Sequence, residues 1–106
     1  MTIRRAARRY KLTLPILLTE LPERTRVIHG ATRNISTHGV YFTTDLPVAA
    51  GTSLEFSFTL PPDVNEENPA TVAGRARVVR VEEPGSSSEK LGIAVAIETF
   101  QIKRDG

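Results

Sequence analysis

Apolar and polar residues alternate along most of the chain, the pattern of strands that bury one face. Over residues 11–18, Leu12, Leu14, Ile16 and Leu18 share one parity, while Lys11, Thr13, Pro15 and Leu17 take the other. Pro15 has no N–H to give to a ladder, so this strand is expected to be an edge or to carry an irregularity there. A second extended stretch, roughly 25–35, is rich in β-branched residues; Gly39 breaks it, and 40–44 reads as the returning strand of a hairpin. The cleanest strand spans 52–60, with Leu54, Phe56, Phe58 and Leu60 on one side and Ser53, Glu55, Ser57 and Thr59 on the other. A long strand follows over 70–83. Its parity slips near Val78-Val79, because Arg77 and Arg80 both face outward only if one residue is extra, which predicts a bulge. Leu91, Ile93, Val95 and Ile97 form the last apolar face.

The connections between these segments are turn-rich or polar: 46–51, then 61–69 with its three prolines, then 84–88. Helical periodicity is absent, apart from a basic turn that Ile3, Ala6 and Ala7 could support. Six short strands with no helix to cover a sheet favour closure into a small barrel. The expected fold is all-β: a six-stranded antiparallel β-barrel over 11–100, a flexible basic N-terminal arm over 1–10 and a C-terminal tail over 101–106. Its core is expected to hold Leu12, Leu14, Leu54, Phe56, Phe58, Leu60, Ile93, Val95 and Ile97.

Composition narrows the function. The chain has 106 residues, one domain's worth, with 40% hydrophobic and 25% charged residues. It has no cysteine and two histidines, His29 and His38, which removes thiolate chemistry and a histidine-rich metal site. No apolar run approaches the roughly 20 residues that span a bilayer. The N-terminus, MTIRRAARRY, carries charge where a signal peptide needs its apolar core, so a cytoplasmic location without membrane insertion is expected. Net charge is only +2, but residues 1–33 carry eight Lys/Arg against two acids, and 34–71 carry five acids and no Lys or Arg. A basic arm on a nearly neutral body suits an anionic partner, although such runs also occur as solvated tails.

Two motifs carry chemistry. Arg5 and Arg9 form an R-x-x-x-R pair just before the first strand, overlapped by Arg4 and Arg8. A guanidinium donates two parallel hydrogen bonds to phosphate or to the O6/N7 edge of guanine, and it stacks on bases. The second motif is Asn34-Ile35-Ser36-Thr37-His38-Gly39, an N-x-S-x-x-G between two strands. Asn34 offers a carbonyl and an amide, Ser36 a hydroxyl, and Gly39 permits positive φ or a close approach to the backbone. Alone, this motif is equally an ordinary hairpin turn. His38 lies inside it and is a secondary candidate. Arg75, Arg77 and Arg80 either extend an anionic site or lie on a solvated face. Ser36 with His38 has no acid placed to complete a triad, and no acid–base pair or metal set suggests an enzyme.

The two motifs in this order, with one strand between them, resemble the PilZ domain family, the bacterial receptors for cyclic di-GMP. Arg5/Arg9 match its R-x-x-x-R, and Asn34/Ser36/Gly39 match its [D/N]-x-S-x-x-G. The likeness continues in Gly39-Val40-Tyr41-Phe42, in 52–61 and in the two segments 74–80 and 91–95. Asn34 stands where Asp is commoner, and the chain reaches Gly106 soon after the last strand, where many members continue.

The resemblance implies a non-enzymatic receptor without a cofactor, whose ligand is cyclic di-GMP. Arg5, Arg9, Asn34, Ser36 and Gly39 would be ligand-binding, and Arg4, Arg8 and His38 secondary contacts. Binding would order the arm and alter contacts with an unknown downstream protein partner. Two alternatives stay open: a PilZ-like protein–protein adaptor that binds no nucleotide, and a small basic β-barrel that binds nucleic acid. The second is disfavoured because only six aromatics are present and Phe56 and Phe58 read as buried.

Overall fold

The computed structural model describes residues 11–61, 69–83 and 90–104. The expected flexible arm, with Arg4, Arg5, Arg8 and Arg9, lies outside the described residues. Six strands run in chain order: β1 Pro15–Glu20, β2 Val27–Ile35, β3 Gly39–Thr44, β4 Ser53–Leu60, β5 Ala70–Glu82 and β6 Leu91–Arg104. All pairings are antiparallel, and the order β1-β2-β3-β6-β5-β4 closes a barrel. The all-β six-stranded barrel expected from alternation is the observed fold.

The inward parity fills the barrel. Ile16, Leu18, Ile28, Phe42, Leu54, Phe56, Phe58, Val78, Ile93 and Val95 are buried, and Leu12, Leu14, Leu60 and Ile97 pack against them half-buried. Phe56 and Phe58 stack with ring centroids 5.9 Å apart. Burying a large aliphatic or aromatic side chain contributes roughly 1.5–3 kcal/mol, so this cluster is what holds the sheet closed.

Three local features differ from the simplest reading. β1 is not an edge, since it pairs with both β2 and β4. Pro15 is tolerated because it is the strand's first residue, where a missing N–H breaks no established ladder. β6 runs on to Arg104, four residues past the barrel boundary expected at 100, because Phe100 and Ile102 alternate with Gln101 and Lys103 and β5 is long enough to pair with them. The bulge expected near Val78-Val79 is present, between Val78 and Arg80, and two more occur, at Thr32/Asn34 on β2 and opposite Arg75/Ala76 on β6.

The bulge on β2 positions the site. Thr32 faces inward, Arg33 is the extra residue, and Asn34 pairs with Tyr41, so two successive side chains point outward before Ile35 turns in again. Thr32 is fully buried. Its hydroxyl donates to the Leu12 carbonyl at 2.6 Å and accepts from the Leu14 N–H at 2.8 Å. The Thr32 N–H in turn donates to the Leu14 carbonyl at 2.9 Å. One buried threonine therefore fastens residues 12–14, the segment that leads out of the N-terminal arm, to the strand that carries the motif.

Candidate functional site

The motif forms the turn between β2 and β3. The Ser36 hydroxyl accepts from the N–H groups of His38 at 3.1 Å and Gly39 at 3.2 Å, and donates to the Gly39 carbonyl at 3.3 Å. A hydroxyl has one donor and two acceptor positions, and all three are used inside the turn. The Ser36 N–H also donates to the Gly39 carbonyl at 3.0 Å, and the Ile97 N–H donates to the His38 carbonyl at 2.9 Å, which pins the turn to β6. Ser36 thus sets the shape of the loop whose exposed face presents His38.

Gly39 is needed for space rather than for positive φ. It opens β3 in extended conformation, and the described residues with positive φ are Gly51 and Arg24. A Cβ at Gly39 would lie 2.7 Å from the Val95 carbonyl oxygen of β6. The absent side chain lets β3 and β6 approach one another beside the motif.

Asn34, Ser36, His38 and Gly39 are brought together along one side of an open groove of about 600 Å³. Its opposite side is Val79, Arg80 and Glu82 of β5, and the small side chains of Ala94 and Ala96 on β6 lie between. That volume is in the range of small-molecule sites. A second depression of about 470 Å³ adjoins it, lined by Lys11, Thr13, Arg33, Asn34 and Tyr41. Asn34 and Tyr41 belong to both, so they stand between the motif groove and a basic recess at the root of the arm.

Tyr41 also organises the far wall. Its ring lies over Gly92, where a Cβ would meet the phenol oxygen at 2.0 Å. The phenol donates to Glu82 Oε1 at 2.8 Å, and Arg80 Nε donates to Glu82 Oε2 at 3.0 Å. The hydrogen bond to Glu82 raises the Tyr41 phenol above its ordinary pKa, with burial adding to the effect. The same hydrogen bond, then the one from Arg80, holds the Glu82 carboxyl below the usual carboxylate range. Arg80 is therefore a groove residue, whereas Arg77 pairs with Glu98 across the sheet.

Tyr41, Glu82, Lys11 and Arg33 were not expected at the site. The outward parity of Tyr41 between buried Val40 and Phe42 was available in the sequence, but its meeting with Glu82 depends on β6 lying between β3 and β5.

The family model of the PilZ domain matches residues 3–103, which is nearly the whole chain. The chain belongs to the PilZ domain family. No curated protein matches it. Among solved structures, the Bacillus subtilis inhibitor of motility (MotI/DgrA) is similar, with a TM-score of 0.74 and 22% identity over 94% of this chain and 45% of that one. The chain thus spans less than half of that protein, and the likeness is one of fold. In this PilZ domain the N-x-S-x-x-G segment occupies the β2–β3 turn and opens onto the groove, and the R-x-x-x-R pair precedes the described segment that begins at Lys11.

Proposed function

We propose that this PilZ domain is a cyclic di-GMP receptor, a binding domain rather than an enzyme, working in the cytoplasm. The observation that carries the reading is the groove itself: Asn34, Ser36, His38 and Gly39 of the second motif line one open site, next to the recess where the arm's root emerges. Arg9 is two residues from Lys11, and each residue spans at most about 3.6 Å, so Arg9 is tethered within reach of Asn34. Cyclic di-GMP presents two phosphates and two guanine edges, which match the guanidinium groups of Arg5 and Arg9, with Arg4, Arg8 and His38 as secondary contacts. Asn34 and the turn shaped by Ser36 and Gly39 orient the ligand from the barrel side. Ligand binding would draw the arm onto the groove, an order–disorder switch that alters the surface offered to a downstream protein.

Calorimetric titration with cyclic di-GMP, with GTP and cyclic AMP as controls, tests this reading. Arg5→Ala and Arg9→Ala should each weaken binding by about 1–3 kcal/mol, the worth of a bidentate arginine contact to guanine. Arg24 and Arg26 are the charge controls, since they pair with Glu55 and Glu20 away from the groove. Absence of cyclic di-GMP binding, or equal losses from all four arginine substitutions, would overturn the motif-based site.

A further inference from the structure

The fastening at Thr32 has an outer side. Thr32 holds the Leu12 carbonyl and both backbone groups of Leu14. Leu12 and Leu14 are half-buried, while the residues that alternate with them, Lys11 and Thr13, are exposed, as is the bulge residue Arg33. The contact that closes the core on one side therefore sets two cations along one surface depression on the other. This is the recess of about 470 Å³ whose lining is completed by Asn34 and Tyr41. Arg33 lies near enough to Tyr41 that its charge opposes the rise in the phenol's pKa.

The recess carries charge of one sign. Among the described residues no acid lines it. Arg24, Arg26, Arg77, Arg80 and Lys90 each have a carboxylate partner, whereas Lys11 and Arg33 make no ion pair among the described residues. Two like charges held side by side repel each other, and an anion shared between them removes that cost. The recess also offers donors: an ammonium, a guanidinium, the Thr13 hydroxyl and the Asn34 amide. The Tyr41 phenol already donates to Glu82, so it serves as a wall. The oxygens of a phosphodiester accept several such bonds, and a guanidinium meets two of them at once. In the adjoining groove the charges of Arg80 and Glu82 offset each other, and Ala94 and Ala96 give it a small apolar floor. An uncharged base suits that groove better than a phosphate does.

We propose that the recess is a phosphate subsite, in which Arg33 and Lys11 hold one phosphodiester of the ligand while the attached guanine passes Asn34 and Tyr41 into the groove. The identity of that ligand rests on the receptor reading above; the preference of the recess for phosphate does not. Arg5 and Arg9 are then left for the other half of the ligand.

Calorimetry of the full chain with cyclic di-GMP tests the subsite through exposed side chains. Arg33→Ala should weaken binding about tenfold or more, the worth of hydrogen bonds to a charged group. Lys11→Ala should weaken it as well, and Arg33→Lys should restore part of the loss, because it returns the charge without the planar fork. Arg75 is the charge control: it is exposed on β5 and lines neither depression, so Arg75→Ala should leave affinity within about twofold at moderate salt. If the wild type binds cyclic di-GMP and Arg33→Ala costs no more than Arg75→Ala, the subsite is overturned and the receptor reading stands. If the wild type binds no cyclic di-GMP, the receptor reading falls, and inorganic phosphate alone decides the subsite. Titrated against chloride at equal ionic strength, phosphate should move the backbone amide resonances of residues 11, 13, 33, 34 and 41, and Arg33→Ala should abolish those shifts. Shifts that are absent, or scattered over the other cations of the chain, would overturn the proposal.

Discussion

Replacing Thr32 by valine keeps its shape and removes its hydroxyl, which isolates the fastening between the arm's root and the motif strand. In the native protein that hydroxyl serves the Leu12 carbonyl at 2.6 Å and the Leu14 N–H at 2.8 Å. Valine leaves both backbone groups without that partner. An unsatisfied buried polar group costs roughly 1–3 kcal/mol, and because these two are only partly buried the low end applies to each, giving about 2 kcal/mol in total. With a urea dependence of about 1.5 kcal/mol per molar, the denaturation midpoint should fall by roughly 1.3 M at unchanged slope. Thr32→Ser keeps both hydrogen bonds and loses a methyl, a change of about 1 kcal/mol by analogy with Ile→Val. The order should be wild type, then serine, then valine. Because residues 12–14 lead directly from the arm, Thr32→Val should also weaken cyclic di-GMP binding more than its loss of global stability explains. A valine variant as stable as the wild type, or less damaging than serine, would refute the reasoning.

The other expectations concern the motif turn and the Tyr41 wall. Ser36→Ala removes the acceptor for two amides; the exposed His38 N–H regains water and the part-buried Gly39 N–H does not, so about 1 kcal/mol should be lost, read by thermal unfolding without ligand. Gly39→Ala forces a Cβ onto the Val95 carbonyl and should cost about 1–3 kcal/mol of overpacking strain, so unfolding at the wild-type temperature would contradict the geometry. With Tyr10 replaced by phenylalanine, absorbance titration should give Tyr41 a phenolate midpoint above that of free tyrosine, and Glu82→Gln should lower it, because the bond to Glu82 is the main cause of the shift. For Tyr41 the folded pKa is raised, so its stabilising effect is complete below the ordinary phenol value and fades as pH rises through the raised one. For Glu82 it is lowered, so the effect holds above the ordinary carboxylate value and fades as pH falls through the lowered one.

Strand count, the bulge after Val78 and the buried face of β4 were legible because a half-buried strand writes its environment into every second residue. Asn34, Ser36, His38 and Gly39 were legible as a motif, but the work each does was not. Gly39 was expected to serve positive φ or approach to the backbone; the neighbour it accommodates is the β6 carbonyl of Val95, a contact set by pairing across 56 positions in sequence. The hydroxyl of Ser36 suits a ligand contact, and the structure adds its bonds within the turn, which the sequence does not show. Thr32 was invisible, since a buried threonine inside a β-branched stretch looks like any other strand residue until its partners, residues 12–14, are in place. The bulge at Arg33 left no signature either, because Arg33 and Asn34 are both polar and two outward residues in a row do not break an apolar pattern that resumes at Ile35.

That extra residue makes the motif strand behave like a vernier with one tooth added. Before Thr32 and after Ile35 the inward positions keep step with the barrel, and Arg33 absorbs the difference. Losing one residue between Thr32 and Ile35 would restore simple alternation and leave one outward side chain where Arg33 and Asn34 now stand, so the recess cation and the motif amide would no longer both be presented. Length between the buried threonine and the motif glycine is therefore as much a part of the site as its chemistry. Homologous chains should tolerate neither deletion of residue 33 nor a second insertion beside it.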